Sequence, residues 1–539
     1  MTPLTARRLA VAAVLAVVLL GASGTAAAHD GHGTGADAGR IVELYPNPTT
    51  AQNHGEYVTV DLDEPGNWTV TDGEGTVRLP DRTGEFAATR HPELTAAHTN
   101  ATTVTAGGQF RLAVGGETLE LRRDGQVVDA VSYEDAPESQ RWYHDREPHW
   151  QPAGFRPREP ATSESTPVEA FVLPDAPGAP IEAIEGADRR LYLAAYTLAS
   201  ERVVAELIAA HDRGVEVRVL VEGDPVGGMS TRQADRLDDL AEAGIEVRAM
   251  TGERARFRYH HAKYAVVDDR AVVLTENWKP SGTGGADNRG WGITVEDPAT
   301  AADLAAVFTH DAGWNDTATW SEFRSAVETT EKEASTGSYS QTHPPKTATA
   351  ESVTVLTAPD NADTEIRQLI NETDDRLVIV QPSIGSAGFP LLEAAMQAAD
   401  RGVDVRILLG SQWYNEEEND ALAARLRERT EGSEHLEIRL AEGNGRFGKI
   451  HAKGIVADDT AVVGSLNWND NSLRNNREVA LAIEDAAVAD YYAEVFDGDW
   501  TSDGTRELPV GVVVVAIGAA GGTVLALKRR LEFAENGRR

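Results

Sequence analysis

Two histidines, His261 and His451, each precede a lysine by two residues and an aspartate by seven, giving His261-x-Lys263-x4-Asp268 and His451-x-Lys453-x4-Asp458. Beyond them, Thr275 and Asn277 follow the first set at the same spacing at which Ser465 and Asn467 follow the second. A single His-x-Lys is a chance event in a chain of 539 residues, whereas two embedded in matched surroundings are not. The residue types suit a phosphate. Lysine supplies a point charge, and Asn and Ser/Thr supply neutral donors to non-bridging oxygens. An imidazole that titrates near neutrality can attack phosphorus or carry a proton. Two of them on opposite sides of one phosphodiester divide the work. One attacks in line and the other protonates the leaving oxygen, after which water cleaves the phosphohistidine with the second imidazole as base. Such chemistry calls for no metal or other cofactor, and a lysine beside each histidine disfavours a bound cation.

The elements that must position these residues are hairpins. Side chains at i and i+2 of a strand share a face, so each His and Lys point the same way. A three-residue loop at Asp268-Asp269-Arg270 sets His261 opposite Asn277 and Lys263 opposite Thr275. The loop Asp458-Asp459-Thr460 does the same for His451 with Asn467 and Lys453 with Ser465. A two-residue loop would place His and Asn on opposite faces. The duplication extends outward: residues 190–196 match 376–382 as a first strand, and 212–220 match 400–408 as a helix end, a Gly C-cap and a β-branched strand. Phe308, Asp311 and Trp314 parallel Phe496, Asp499 and Trp500. The pattern is strand–helix–strand, repeated, and predicts an α/β fold.

On these residues, the stretch from about 165 to 505 resembles the phospholipase D superfamily, whose signature is His-x-Lys-x4-Asp followed by Gly-Ser-x-Asn. The resemblance implies two α/β/α halves related by a pseudo-twofold axis, with both motifs meeting at their interface. It carries catalytic roles to His261, Lys263, Asp268, His451, Lys453 and Asp458, and phosphate-binding or supporting roles to Thr275, Asn277, Ser465 and Asn467. The first half departs from the pattern at Leu274, where the family has Gly. Downstream, Asn476-Arg477-Glu478 aligns with Asn288-Arg289-Gly290. The family commonly has an acid here that reaches across to orient the opposite histidine. Glu478 is thus expected to orient His261, while His451 lacks a partner unless Asp287 substitutes. On that basis His261 is the expected nucleophile and His451 the general acid.

The remaining chain sets the context. A net charge of −36 with 41% hydrophobic residues predicts a folded protein with a dense carboxylate surface, as in proteins that work in concentrated salt. Against that background Arg254, Arg256 and Arg258 before the first motif, and Arg446 and Lys449 before the second, point to an anionic substrate. Residues 1–28 read as a signal peptide, with Arg7-Arg8 ahead of an apolar run and Ala26-Ala27-Ala28 at the cleavage site; export by a Sec or a twin-arginine route stays open. Residues 40–135 alternate as short strands between turns and resemble the lamin-tail family of immunoglobulin-like sandwiches, in 41–48, 55–58, 68–72 and 125–133. Polar connections follow at 136–166 and 329–349, around halves at 167–325 and 350–505. The uncharged run 508–527 precedes Lys528-Arg529-Arg530 and predicts one transmembrane helix with the body of the protein outside the cell. The expected protein is a membrane-anchored extracellular phosphodiesterase acting on phospholipid by hydrolysis or transfer, with one chain sufficient for a complete site. Two other readings stay open: an extracellular nuclease on the same scaffold, with Trp278, Trp291, Trp413, Tyr414 and Trp468 available for stacking, and a non-catalytic surface binding protein.

Overall fold

The structure, a computed structural model, describes residues 38–501 except 97, 147–148, 253–254, 430–434, 442 and 444. The expected signal peptide at 1–28 and the apolar run at 508–527 lie outside the described residues. Among the described residues no helix is long and apolar enough to cross a membrane. The chain divides into two compact units at Ala153/Gly154.

In the first unit, alternating strands form a six-stranded and a four-stranded sheet. Ile41, Val58 and Phe86 of one share a core with Trp68, Val70, Leu119 and Leu121 of the other. The unit extends past residue 135, because Gln140–Tyr143 pairs with Gly39–Tyr45 and Trp150–Pro152 pairs with Gln140–Tyr143. The Pro and Glu content of 136–166 masked these short strands.

The second unit is built on one 16-stranded sheet. At its middle, Ala161–Leu173 runs antiparallel to Lys346–Ala358, with Ala161 opposite Val355 and Ala170 opposite Lys346. Outward from this seam each half has the same order. In the first half Asn288–Val295, Arg270–Leu274, Tyr264–Val267, Arg190–Ala195, Glu216–Glu222 and Glu246–Met250 follow one another. Glu478–Glu484, Thr460–Gly464, Gly454–Ala457, Arg376–Gln381, Asp404–Gly410 and Leu436–Ala441 repeat them in the second. The last three strands of each half are parallel, so they are joined by helices. Ser200 caps Glu201–Asp212, which buries Val203, Val204, Leu207 and Ala210. Pro390–Arg401 ends at Gly402, whose φ of 100° a side chain would resist. Helices Pro298–Ala312 and Ala486–Trp500 lie together in a core common to both halves, while each half closes a separate core with its other helices.

The connection at 329–349 is pinned along its length. Thr329-Thr330 pairs with Met229-Ser230, Lys332 Nζ donates to the Gly228 carbonyl at 2.7 Å, and Gly337 N donates to Ala286 O at 3.0 Å. Thr342 and His343 both donate backbone N–H groups to Asp175. Its last residues, from Lys346, belong to the central strand.

Two buried arginines tie the halves together. Arg477 of the second half meets Asp311 of the first at 2.9 Å and Asp360 of its own half at 2.6 Å. Arg289 of the first meets Asp499 of the second at 2.8 Å and Asp175 of its own half at 2.5 Å. All are buried. Loss of either cation strands two carboxylates in a dry interface. Arg477→Met is therefore expected to destabilise the fold by about 3–5 kcal/mol, against under about 1 kcal/mol for Arg218→Met at a half-exposed ion pair, as measured by denaturant unfolding.

Candidate active site

Each hairpin turns in two residues rather than three. Val267 pairs with Arg270 and Tyr264 with Val273; Ala457 pairs with Thr460 and Gly454 with Val463. The first turn residue has φ 54° at Asp268 and 48° at Asp458. This register would split His from Asn if the strands ran on, but Tyr264–Val267 and Gly454–Ala457 begin only after the lysines. Residues 261–263 and 451–453 leave the strand geometry, so face parity no longer governs them. The backbone of the opposite half holds them instead: His261 N donates to Arg477 O at 2.9 Å and His451 N to Arg289 O at 3.0 Å.

Both imidazoles then meet a buried carboxylate. His261 Nδ1 lies 2.8 Å from Glu478 Oε2, as expected from sequence. His451 Nδ1 lies 3.1 Å from Glu276 Oε1, a residue that sequence reasoning passed over. Asp287, the substitute considered for it, instead faces Lys449 at 3.7 Å. The register explains how the acid moved. Leu274 pairs with Gly292 and Gly464 with Ala480, so continuing the ladders puts Glu276 opposite Gly290 and Leu466 opposite Glu478. The first half thus carries Glu and Gly where the second carries Leu and Glu. A Cβ on Gly290 would lie 2.2 Å from Glu276 Cγ, so the glycine is the space that the relocated acid occupies. Leu274 is accommodated in the same way, since a Cβ on Gly292 would sit 2.7 Å from its Cδ2. The signal was present in sequence as two paired departures, each a large residue on one strand matched by glycine on the next.

A matched asparagine steadies each acid. Asn288 Nδ2 donates to Glu276 at 2.7 Å and Asn476 Nδ2 to Glu478 at 3.1 Å. A carboxylate can only accept, so each Nδ1 carries the proton and each neutral Nε2 keeps a lone pair for substrate. The basis for making only His261 the oriented imidazole is therefore gone, and geometry leaves the two equivalent in this respect. Lys263 and Lys453 are buried between them, each ammonium donating to the carbonyl of its own histidine, and Lys453 also faces Thr275 O at 3.4 Å.

The electrostatics follow from enclosure. Burial pushes the pKa of His261 down to about 4 and that of His451 down to about 3; the neighbouring lysines add to this and the glutamates oppose it. Burial also lowers Lys453 to about 8. The same burial pushes Glu276 and Glu478 up, but their histidines, lysines and hydrogen bonds outweigh it, leaving both below the ordinary carboxylate range. Near pH 7 the free site therefore holds two neutral imidazoles over ionised glutamates. A nucleophile needs that form; the general acid needs a proton, which an entering phosphate anion stabilises.

The other expected site residues divide. Asn277 is buried and its Oδ1 has no hydrogen-bond partner, while Asn467 is partly exposed. Ser465 Oγ donates to Glu478, and Thr275 Oγ1 accepts from Trp291 N at 2.9 Å, so these hydroxyls serve the framework. Asp268 and Asp458 direct their carboxylates at backbone N–H groups. Asp268 accepts backbone N–H from Asp188, Arg189 and Arg190 at 2.8–3.0 Å, and Asp458 accepts from Asp374, Asp375 and Arg376, pinning each hairpin turn to the start of the next strand. Arg256 is buried against Asp316 and Arg446 faces Asp499, so neither is a free cation; Arg258 is exposed, and Arg254 lies outside the described residues. Trp278, Trp291 and Trp468 are core; Trp413 and Tyr414 are exposed. Among the described residues no group of three His, Asp or Glu side chains converges as metal ligands would.

The fold is a duplicated α/β unit in which each half brings one carboxylate-bound histidine and one buried lysine to the interface between the halves. Residues 181–312 and 366–500 match the family described as "Cardiolipin synthase, PLD-like domain", and these two segments belong to the phospholipase D superfamily. A probable phospholipase D of Caenorhabditis elegans is 27% identical over 131 residues, 22% of this chain and 24% of that protein. Cardiolipin synthase A of Cronobacter sakazakii is 35% identical over 108 residues, 20% of this chain and 21% of that one. The matches thus span less than a quarter of these curated relatives. Among solved structures, phosphatidylserine synthase of Haemophilus influenzae is 16% identical with TM-score 0.47, covering 63% of this chain and 87% of its own. Nuc of Salmonella typhimurium is 22% identical with TM-score 0.25, covering 30% and 98%.

The acid swap is testable by reversing it. Glu276→Leu alone should lower kcat by about 10²–10⁴-fold, the range for a mispositioned acid–base group. Adding Gly290→Glu recreates the arrangement of the second half, and a regain of at least tenfold in kcat is expected. For the charge state, nitrogen NMR of the rings at pH 6 should show both site histidines neutral, since their pKa values lie below the ordinary 6.5. Glu276→Gln removes the group that raises His451, and its titration should move lower still. Asp268→Ala should reduce the unfolding midpoint in urea while kcat per folded molecule stays within about threefold, consistent with a pinned turn.

Proposed function

We propose that this protein is a membrane-anchored, outward-facing phosphodiesterase of the phospholipase D type, cleaving or transferring phosphatidyl groups through a phosphohistidine. The observation that carries the chemistry is the pair of imidazoles, each hydrogen-bonded at Nδ1 to a buried glutamate, with two lysines between. One Nε2 attacks phosphorus in line, forming the P–N bond as the P–O bond to the headgroup breaks. The other imidazole, protonated, donates to the departing oxygen. It then takes a proton from water or an acceptor alcohol, whose oxygen displaces the histidine from phosphorus. Lys263, Lys453, Asn277 and Asn467 offset charge on the non-bridging oxygens.

Phospholipid is favoured over nucleic acid on two grounds. The apolar run 508–527 would hold the catalytic unit beside a bilayer. The pinned connection also links the two walls of the site. It meets Gly228, near the Val226 N–H that binds the Tyr196 hydroxyl against His261, and then Ala286, beside the Asp287–Lys449 pair ahead of His451. A headgroup entering end-on suits such a mouth better than a duplex lying along it. The first unit, whose lamin-tail likeness implies binding or positioning, would then act on the partner surface.

The deciding experiment offers phospholipid micelles and DNA in parallel at molar salt to wild type, His261→Ala and His451→Ala. Lipid turnover by wild type alone, with acid-stable mass on one histidine of the trapped enzyme excluded and acid-labile phosphate present, supports the proposal. Preferential DNA cleavage would replace it with a nuclease, and no cleavage of either with a binding role.

A further inference from the structure

A second buried carboxylate stands behind His261. Glu222 ends the strand Glu216–Glu222 and is buried. His260 N, one residue ahead of the catalytic histidine, donates to its Oε2 at 2.7 Å, and Asp224 N donates to its Oε1 at 2.8 Å. The second of these bonds folds the loop that follows the strand. Two residues on, Val226 N donates to the Tyr196 hydroxyl at 2.6 Å. The Tyr196 ring lies 4.7 Å from the His261 imidazole at 69°, and Lys263 Nζ lies 5.1 Å from the same ring. One carboxylate thus reaches His261 by two routes, through the backbone and through the tyrosine.

The second half has neither route. Gly410 matches Glu222, Pro382 matches Tyr196 and Ile450 matches His260. A Cβ on Gly410 would lie 2.3 Å from Gln412 Oε1, so Gln412 fills that space, and this oxygen has no hydrogen-bond partner.

Glu222 is faced by Asp224 on its own loop, by Tyr196 at the end of the neighbouring strand and by Met250, its partner on the other side. His260 offers its N–H, while its ring turns to Asp311 at 3.6 Å. Burial pushes the Glu222 pKa up to about 7; Asp224 adds to the rise and the backbone donors oppose it. An ionised carboxylate accepts on both oxygens, whereas a protonated one turns an O–H toward one of the two N–H groups and weakens that bond.

Resting on the phosphodiesterase reading, we propose that Glu222 is a positioning residue for His261, holding it through His260 N and through Tyr196, and that neutralising the carboxylate releases this hold. Activity then rises with pH as Glu222 ionises. Stability runs the other way. A carboxyl whose pKa is raised by folding favours the fold below the ordinary carboxylate range, and that contribution is lost as pH rises through about 7. A purely structural role would move stability and activity together.

The test follows cleavage of bis(p-nitrophenyl) phosphate, a phosphodiester that is neither lipid nor nucleic acid, by the full chain and by Glu222→Gln from pH 5.5 to 8.5. Glutamine keeps the shape but, like the protonated acid, cannot accept on both sides. The ratio of wild-type to variant kcat should lie within about twofold of unity at pH 5.5 and reach about tenfold at pH 8.5, with KM little changed. Over the same range the urea midpoint of wild type should fall relative to that of the variant. Tyr196→Phe, which cuts the tyrosine route alone, should lower kcat by about two- to fivefold at pH 8.5 and less at pH 5.5; an unchanged kcat there counts against the proposal even if the glutamine variant does not fold. A kcat ratio that is flat with pH, or that follows the urea midpoints, overturns the positioning role and leaves the phosphodiesterase reading standing. Wild type that does not cleave the probe at any pH removes both.

Discussion

The structure depends on a backbone contact made across the interface between the halves. Arg477 and Arg289 are each held on two sides by buried aspartates, one from their own half and one from the other. Their carbonyls accept the N–H groups of His261 and His451. A catalytic histidine thus leaves its hairpin and takes its position from the opposite half. Burying a cation between two anions is favourable only when geometry and pairing are complete. Here the same ion pairs that hold the interface also fix the backbone at both histidines.

One residue past each arginine the halves diverge, and the divergence preserves function. The second half supplies its acid at Glu478; the first leaves Gly290 there and supplies Glu276 from the neighbouring strand. Both solutions bring one carboxylate to Nδ1 of the opposite histidine, because adjacent strands at the same rung present side chains to the same face. An apparent loss in one strand is a relocation by one strand spacing. The site is therefore more symmetric than its motifs.

Enclosure ties this geometry to reactivity. Removing the imidazoles from water holds them neutral and leaves their glutamates ionised, a state ready for attack and one proton short of turnover. An anion beside the imidazoles would favour that proton, by the same electrostatics that hold them neutral without one.

The sequence by itself determined the duplicated α/β pattern and the two His-x-Lys pairs, because spacing and periodicity are local properties, while the Glu478 contact was legible only through the family resemblance. It misjudged the hairpin loop by one residue, since two- and three-residue turns at Asp-Asp share their composition, and it did not show that Asp268 and Asp458 pin those turns. It also read Arg256 as a site cation, although Asp316, 60 residues away, buries it in an ion pair. Only the tertiary structure decided that Glu276 serves His451 and that Arg289 and Arg477 anchor the opposite histidines. The physical reason is the same in each case: these contacts join residues 162 to 216 positions apart in the chain, across an interface whose register no local pattern encodes.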